Sequence, residues 1–263
     1  MEKINALNIQ PPRNIMNALI FAAGLGTRLG AYTGDTPKAL VHVAGKPMLE
    51  HQLLHLKRAG VNTVVVNVHH FADKIVDFID RNGAFGMDIR ISDETDFLLD
   101  TGGGLRKALQ LFDNDNPVLV HNVDIFSSVN LKELYNSHLS DKSDVTMVVA
   151  DRDTARKLYF DGHRNLTGWR NSADGKTRSA FADFDYTQCK SYAFQGIHVV
   201  SQSVRRCLDE VAEDKFGITG FYIDYANRLK ISAVEDLNPS GWVDAGKPEM
   251  LSKAADIVAQ FYQ

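Results

Sequence analysis

The first candidate functional residues in this sequence are two basic side chains near a run of glycines. The stretch "AAGLGTRLG" (22–30) contains Arg28, and the stretch "TPKAL" soon after it contains Lys38. Backbone N–H groups of a glycine loop can donate hydrogen bonds to phosphate oxygens. Arg adds a planar fork of donors and Lys a compact charge, so the pair suits a triphosphate. The alternative is a surface loop whose basic residues are solvated.

Two common phosphate-loop motifs do not explain these glycines. The dinucleotide pattern G-x-G-x-x-G fits Gly24 and Gly26, but Leu29 occupies the third glycine position. No acidic residue follows at the end of a second strand, where such a motif would hold a ribose. The P-loop pattern G-x-x-x-x-G-K-[ST] does not occur in the chain. The loop therefore argues against a nicotinamide-dependent oxidoreductase.

Two aspartates that follow apolar stretches suggest a metal site. Asp124 stands in "PVLVHNVDIF" and Asp244 in "GWVDAGKPE". Burying a lone carboxylate is costly unless it is paired or binds a metal. Two carboxylates, together with substrate phosphates and water, would suit Mg²⁺, which prefers octahedral oxygen coordination. The alternative is that each aspartate caps a turn or a helix.

A second glycine cluster lies in "LLDTGGGLRKAL" (98–109). Three consecutive glycines allow close approach of the backbone to another group. The functional interpretation is a loop whose backbone lies against a flat base, where a side chain would intrude. The structural alternative is a tight turn from a strand into a helix.

Strand-like and helix-like stretches alternate along most of the chain. Strands are expected at residues 17–23, 62–70, 87–94, 117–126, 143–150 and 191–201. Helices are expected at residues 48–60 and 73–83, after the glycines of 102–112, at 203–214 and 220–229, and near the carboxyl end. This alternation predicts an α/β fold with a mostly parallel sheet, in which ligands bind beyond the carboxyl ends of the strands. Both glycine loops and Asp124 should meet at that edge.

Bulk composition places further limits on the chain. The 263 residues suit a single domain at 16–263, with an N-terminal extension at 1–15 and an irregular insertion at about 151–190. A net charge of −4 argues against nucleic acid as a partner, and no apolar run approaches the roughly 20 residues that span a membrane. Cys189 and Cys207 have no metal-site spacing and suit the reducing cytoplasm. The sequence does not indicate an oligomeric state.

Taken together, the motifs resemble the signature of the sugar-1-phosphate nucleotidyltransferases. "AAGLGTRLG…TPKAL", "TGGG", "NVDIF", "FQGIHVV" and "WVDAGKPE" follow in that family's order over about residues 16–255. The resemblance implies a Rossmann-like, doubly wound mixed sheet of the GT-A-like type. It also implies a Mg²⁺-dependent attack of a sugar 1-phosphate on the α-phosphorus of a nucleoside triphosphate, which gives a nucleotide-sugar and pyrophosphate.

Within this family, the sequence resembles the short bacterial N-acetylmuramate-1-phosphate uridylyltransferase type. That likeness implies UTP, N-acetylmuramate 1-phosphate and a role in cell wall synthesis. A guanylyltransferase acting on mannose or heptose 1-phosphate is the alternative. A non-catalytic nucleotide-sugar sensor is a more distant one, and it would be expected to lack one of Arg28, Lys38, Asp124 and Asp244, all of which are present.

The resemblance also implies roles for individual residues. Those expected to act in catalysis are Arg28, Lys38 and Asp124, and those expected to bind metal are Asp124 and Asp244. Those expected to bind the nucleotide are Ala23, Gly24, Gly26, Thr27, Arg28, Lys38, Thr101, Gly102, Gly103 and Gly104. Those expected to bind the sugar are Gln195 and Gly196. Larger members carry a Glu-Lys pair for the sugar phosphate, which this sequence lacks. The available cations are Arg156, Lys157 and Lys215, of which Lys215 is the expected one.

Overall fold

Alternating strands and helices build residues 15–262, which are the residues that this computed structural model describes. The N-terminal extension expected at 1–15 lies outside them, apart from Ile15. The strands are β1 (Met16–Phe21), β2 (His42–Val43), β3 (Lys46–Pro47), β4 (Val61–Val68), β5 (Asp88–Asp93), β6 (Val118–Asn122), β7 (Ile125–Ser127), β8 (Val145–Ala150), β9 (Arg156–Phe160), β10 (Leu166–Asn171), β11 (Thr177–Arg178), β12 (Lys190–Val200), β13 (Ile231–Glu235) and β14 (Trp242–Asp244). The helices are α1 (Met48–Ala59), α2 (Ala72–Arg81), α3 (Asp100–Leu109), α4 (Leu131–Asp141), α5 (Arg205–Asp209), α6 (Ile218–Asp224) and α7 (Leu251–Phe261).

One large mixed sheet forms the centre of the molecule. β1 pairs in parallel with β4 and β6, and β5 pairs in parallel with β4. β12 then runs antiparallel to both β6 and β8, and β13 is parallel to β8. The α/β, Rossmann-like mixed sheet expected from the sequence is therefore confirmed.

Helices cover both faces of this sheet, because its strands are apolar on both sides. In β1, Ala18 and Ile20 join one core cluster and Leu19 joins the other. Helices α1, α2, α4 and α7 pack into the first cluster, and α3, α5 and α6 pack into the second. A strand buried on two faces needs such a continuous apolar run. The fold is doubly wound, as expected.

Residues 151–190 form an antiparallel addition to the sheet. β9 pairs with the start of β12, β10 with β9, and β11 with β10. The remaining residues of this segment form loops and a short 3₁₀ turn at Tyr186–Gln188. Its short strands thus continue the main sheet beyond β12.

The strand expected at 117–126 is wrong at its carboxyl end. The structure has β6 up to Asn122, a turn at Val123 and Asp124, and then the separate short strand β7. β7 pairs with β14, and this pairing sets Asp244 opposite Ile125. The turn therefore brings the two aspartates to neighbouring positions. Within residues 15–262, no helix has the length and apolar character that a bilayer crossing requires.

Candidate active site

A pocket of about 510 Å³, the loop pocket, opens at the carboxyl ends of β1, β4 and β6. It is lined by Phe21, Ala23, Gly24, Leu25, Gly26, Thr27, Arg28, Lys38, Asn67, Leu98, Asp100, Thr101, Asn122, Asp124, Ile125, Lys215, Asp244 and Gly246. This is the sheet edge at which ligands of doubly wound folds bind. The structure thus brings together the first glycine loop, both expected cations and both expected metal ligands.

Asn67, at the end of β4, fixes the start of the glycine loop. Its buried Oδ1 accepts hydrogen bonds from the amides of Ala22 (2.7 Å) and Ala23 (3.2 Å). Its Nδ2 donates to Glu94 Oε1 at 2.9 Å, and Glu94 Oε2 accepts from the amide of Leu99. One buried amide and one buried carboxyl group therefore join the first loop to the segment before α3.

Gly26 allows the loop to pass close to Lys38. Its φ is +68°, and a Cβ at this position would lie 2.9 Å from Lys38 Cβ. A side chain here would be strained by the backbone and blocked by its neighbour. The glycine therefore lets the loop backbone and the lysine occupy the same side of the pocket.

Two cations and two carboxylates meet in the floor of the pocket. Lys38 Nζ forms an ion pair with Asp124 Oδ2. Arg28 lies 3.3 Å from Asp244 Oδ2 and 3.8 Å from Asp124 Oδ2. Asp124 is buried, whereas the Arg28 side chain is 51% exposed. The cluster of Arg28, Lys38, Asp124 and Asp244 is called the charged cluster below.

The two carboxyl groups differ in acidity. Burial raises the pKa of Asp124, the charge of Asp244 adds to that rise, and Lys38 opposes it. Burial also opposes ionisation of Asp244, but the amide of Gly246, the hydrogen bond with Asp124 and the charge of Arg28 outweigh it, so its pKa is lowered. Asp124 is therefore the carboxyl group of the pair that takes up a proton first as the pH falls.

Packing and hydrogen bonds hold the turn that carries Asp124. Gln52, fully buried on α1, donates to the carbonyl of Ile125 at 2.6 Å. The amide of Ala245 donates to the carbonyl of Asp124 at 2.8 Å. These bonds fix the turn from both sides and so set the positions of Asp124 and Asp244.

Gly246 lets the backbone pass close to both carboxylates. A Cβ at Gly246 would lie 2.6 Å from Arg28 Nη2 and 2.8 Å from an oxygen of Asp124 and of Asp244. The two carboxylates and the guanidinium group of Arg28 therefore all lie next to this glycine. Within residues 15–262, no cluster of three or more His, Cys, Asp or Glu side chains could hold a metal. The pair fits an ion that takes few protein ligands and completes its shell with phosphate and water, as Mg²⁺ does.

The structure corrects the placement of Gly102, Gly103 and Gly104. α3 begins at Asp100, so these residues lie inside the helix and are buried, and none of them lines the loop pocket. A Cβ at Gly102 would overlap the Phe216 ring, and a Cβ at Gly103 would overlap the carbonyl of Asp214. The glycines let α3 pack against the segment before α6.

The residues at the start of α3 face the pocket instead. Thr101 lines it, and its Oγ1 accepts a hydrogen bond from the amide of Ile218 at 2.9 Å. Asp100 also lines it and has a φ of +59°, which is uncommon for a residue other than glycine. Such backbone strain often occurs at binding sites.

A smaller adjoining cavity of about 340 Å³, the middle cavity, contains the expected sugar-binding residues Gln195 and Gly196. It shares Asn122 and Asp244 with the loop pocket. Gln195 is fully buried, and its side-chain oxygen and nitrogen have no hydrogen-bond partner among residues 15–262. Buried polar atoms without a partner are uncommon in proteins and need an explanation such as a ligand or an ordered water. Lys215, also expected at the sugar, lines the loop pocket instead of the middle cavity.

Sequence reasoning missed several residues that shape these cavities. Asn67 could be identified from the sequence, because it is a polar residue inside the apolar run "VVVNV". Gln52 and Glu94 gave no comparable signal, because polar residues are ordinary on helices and at strand ends. Arg152 and Trp242 line the middle cavity and contact each other there, although they are remote in sequence.

A sequence profile of the nucleotidyl transferase family matches residues 17–160, which is more than half of the chain. The chain therefore belongs to the nucleotidyl transferase family.

Two relatives with named activities are similar to this chain over part of their length. The N-acetylmuramate alpha-1-phosphate uridylyltransferase of Caulobacter vibrioides is 49% identical over 109 residues, which cover 41% of this chain and 45% of that enzyme. Mannose-1-phosphate guanylyltransferase 1 of Arabidopsis thaliana is 31% identical over 240 residues, which cover 89% of this chain and 62% of that protein. The chain spans about half the length of the Caulobacter relative and less than two thirds of the plant one.

A solved structure supports the fold. A putative glucose-1-phosphate thymidylyltransferase from Bacillus anthracis superposes with a TM-score of 0.77 at 19% identity, covering 93% of this chain and 96% of that one. At this identity the likeness concerns the fold alone.

Proposed function

We propose that this chain is a sugar-1-phosphate nucleotidyltransferase that joins UTP to N-acetylmuramate 1-phosphate and releases pyrophosphate. The observation that carries the proposal is the charged cluster, which stands beside a glycine loop in an open pocket at the carboxyl edge of the sheet. The family membership supports the same reaction class. Product of this kind would supply an activated cell wall sugar.

The proposed reaction is an in-line displacement. A phosphate oxygen of the sugar 1-phosphate forms a bond to the α-phosphorus, and the bond to the bridging oxygen of pyrophosphate breaks. The nucleophile is already ionised, so no general base is required. The protein has to position two anions and neutralise the charge between them.

The two cations are proposed to exchange their carboxylate partners for phosphate oxygens when substrate binds. Arg28 and Lys38 contact Asp244 and Asp124 in the structure. When a triphosphate enters, both side chains would transfer to phosphate oxygens, Lys38 to the α-phosphate and Arg28, with the amides of Gly24, Gly26 and Thr27, to the β- and γ-phosphates. Charge-assisted hydrogen bonds of this kind strengthen where water is excluded.

Asp124 and Asp244 are proposed to hold Mg²⁺ once the cations have moved away. Both carboxylates lie next to Gly246, and an all-oxygen donor set of this kind fits the ion. When bound, Mg²⁺ supplies positive charge to the phosphate oxygens of the substrates.

The rest of the proposed site binds the base and the sugar. Thr101 and Ala23 line the loop pocket and would contact the nucleoside. Gln195 and Gly196 line the middle cavity and would contact the sugar, and Lys215 would contact its phosphate. This order follows the chemistry, since the sugar must lie beyond the α-phosphorus on the side opposite pyrophosphate.

A second candidate substrate pair is GTP with mannose or heptose 1-phosphate. It is favoured by the plant guanylyltransferase, whose similarity extends over 89% of this chain. We favour UTP in the proposal because the identity to the bacterial uridylyltransferase, 49% over its shorter match, is higher than the identity to the plant enzyme.

We further propose that residues 16–263 act as one catalytic domain and that the reaction takes place in the cytoplasm. The two core clusters on opposite faces of one sheet support a single domain. Cys189 and Cys207 are free thiols, as expected in a reducing compartment.

A substrate screen tests the proposed function. UTP, GTP, CTP, ATP and dTTP are each combined with N-acetylmuramate, N-acetylglucosamine, mannose, heptose and glucose 1-phosphates, and pyrophosphate release is measured with Mg²⁺. We expect the highest rate with UTP and N-acetylmuramate 1-phosphate. A preference for GTP and mannose would favour the second candidate, and no release with any pair would contradict both.

A further inference from the structure

A third cavity, the outer cavity, adjoins the middle cavity on the side away from the charged cluster. Its volume is about 640 Å³, and it shares Arg152, Phe194 and Thr219 with the middle cavity. The middle cavity in turn shares Asp244 with the loop pocket. The three cavities therefore lie in a row, and a ligand bound at the charged cluster can extend toward the outer cavity.

Strand pairing builds the floor of the outer cavity. Trp169 on β10 pairs with Leu158 on β9 and with Arg178 on β11, and Asn171 pairs with Arg156. Side chains at paired positions lie on the same face of a sheet. All five residues line the cavity, and Thr219 of α6 lies on its wall. The register of the antiparallel strands thus sets arginines on one face.

The outer cavity carries an excess of positive charge. Lys176 at its edge is paired with Asp174 at 3.5 Å, and Arg178 is paired with Asp224 through Nε at 2.7 Å. Arg152 and Arg156 also line the cavity, and neither has a carboxylate partner among residues 15–262. Two guanidinium groups are therefore available to an anion.

Arg152 is held where the middle and outer cavities meet. Its guanidinium lies 3.7 Å from the centre of the Trp242 ring, and Nη2 donates to the carbonyl of Phe194 at 3.1 Å. Its Nε is buried and has no hydrogen-bond partner in the described part of the chain. A buried guanidinium donor without a partner is costly unless a ligand accepts its hydrogen bond.

We propose that the outer cavity receives a carboxylate substituent of the sugar, bound by Arg152 and Arg156. The inference rests on the proposed function, which sets the sugar phosphate at the charged cluster and the ring in the middle cavity. A substituent on the far side of the ring then reaches the guanidinium groups. Arg binds carboxylates through two parallel hydrogen bonds, which gives direction as well as charge complementarity. The enzyme thereby selects acidic over neutral sugar 1-phosphates.

A matched pair of sugars tests the inference. N-acetylglucosamine 1-phosphate and its 3-O-lactyl ether, N-acetylmuramate 1-phosphate, differ only in the group that carries the carboxylate. The ratio of kcat/KM for the acidic sugar to that for the neutral sugar is measured with UTP in wild type, in Arg156→Gln and in Arg206→Gln. Arg206 is an exposed residue of α5 that lines none of the three cavities.

We expect wild type to favour the acidic sugar and Arg156→Gln to lower the ratio roughly tenfold, as loss of one charge-assisted contact would. Most of the change should lie in KM for the acidic sugar. Arg206→Gln should keep the wild-type ratio. An unchanged ratio in a folded Arg156→Gln protein, checked by its Tm, would overturn the inference.

Binding measured without turnover separates this inference from the proposed function. Isothermal titration calorimetry gives Kd for each sugar 1-phosphate in the presence of Mg²⁺. If neither sugar is turned over, the proposed function fails. The inference is then decided by binding alone: a preference for the acidic sugar that Arg156→Gln removes supports it, and equal affinities in wild type overturn it.

Discussion

Arg28 and Lys38 neutralise two carboxylates that would otherwise repel each other across the loop pocket. Asp124 is buried and its carboxyl group contacts that of Asp244, so neither could ionise at low cost without nearby cations. In the proposed function, the same four side chains would provide two groups for phosphates and two for a metal ion. We infer that the ion pairs keep these four side chains in position before substrates bind. Substrate phosphates and the metal ion would then replace the ionic partners.

Asp124→Asn tests the role of this carboxylate. We expect it to lower kcat by about 10²-fold or more, since an amide is a poor Mg²⁺ ligand and the charge opposite Lys38 is lost. Pyrophosphate release gives the rate, and thermal unfolding gives the fold. Asp80→Asn, an exposed position of α2, serves as the control. Near-wild-type activity in a folded Asp124→Asn protein would refute the metal assignment.

Lys38→Ala tests the cation that is proposed to contact the α-phosphate. We expect kcat to fall by about 10²-fold or more, with a smaller change in KM for the triphosphate, because its charge is needed most as the transition state forms. Steady-state kinetics with varied nucleotide separates the two parameters. A rise in KM alone, with kcat retained, would assign Lys38 to binding and not to catalysis.

The sequence was informative where a side chain carries unusual chemistry. Arg28, Lys38, Asp124 and Asp244 were singled out as charges after apolar strands or beside glycines, and the structure brings all four together. Gly102, Gly103 and Gly104 lie inside α3 and not in a loop. Glycine signals a close approach without telling which group approaches. Here the group is Phe216 and the chain around Asp214, which are remote in sequence.

Strands and helices with strong periodicity were predicted well. β1, β4, β5, β8 and β12 fall within or next to the expected ranges, and Gly60 ends α1 with a φ of +95°, as its position predicts. α4 and β13 were not expected. α4 begins at Asn130, whose side chain accepts from the amides of Lys132 and Glu133, so a capping signal was present. β13 is short, and only its pairing with β8 defines it.

The turn after β6 could not be predicted from local sequence. Residues 117–126 form one apolar run, but the strand breaks at Val123 because β7 pairs with β14 from the far end of the chain. Such non-local pairing leaves no local pattern. This pairing also brings Asp244 beside Asp124, so the proposed metal site depends on a contact that local sequence does not predict.

Gly102→Ala tests whether the glycines of α3 serve packing. The added methyl group would overlap the Phe216 ring, and we expect a loss of about 1–3 kcal/mol in the free energy of unfolding. Gly162→Ala is the control, because a Cβ there meets nothing within 4 Å. Urea denaturation measures both. A raised KM for the nucleotide without a change in stability would restore the base-binding interpretation.

Buried histidines couple the stability of the whole molecule to pH. Burial lowers the pKa of His121 to about 4 and that of His198 to about 3, and neighbouring histidines add to the second shift. In the unfolded chain both would titrate near the ordinary value of about 6.5. Protonation therefore favours the unfolded chain below that pH, and stability present above pH 6.5 is lost as the pH falls toward the folded values.

His198→Phe should make the stability less sensitive to acid. Both ring nitrogens of His198 lack a hydrogen-bond partner among residues 15–262, and the ring packs edge-on against Phe194 and Tyr222. We expect a smaller decrease in Tm between pH 7 and pH 5 for the variant than for wild type. Equal decreases in both proteins would mean that His198 does not contribute to the pH dependence.

The reaction itself is tested by sugar-dependent pyrophosphate release. Wild-type protein is incubated with UTP and Mg²⁺, with and without N-acetylmuramate 1-phosphate, and pyrophosphate and the nucleotide-sugar are quantified together. The loop pocket, the charged cluster and the family membership predict equal amounts of both products, formed only when the sugar 1-phosphate is present. Absence of sugar-dependent release with this pair and with every other pair of the screen would contradict the proposed activity.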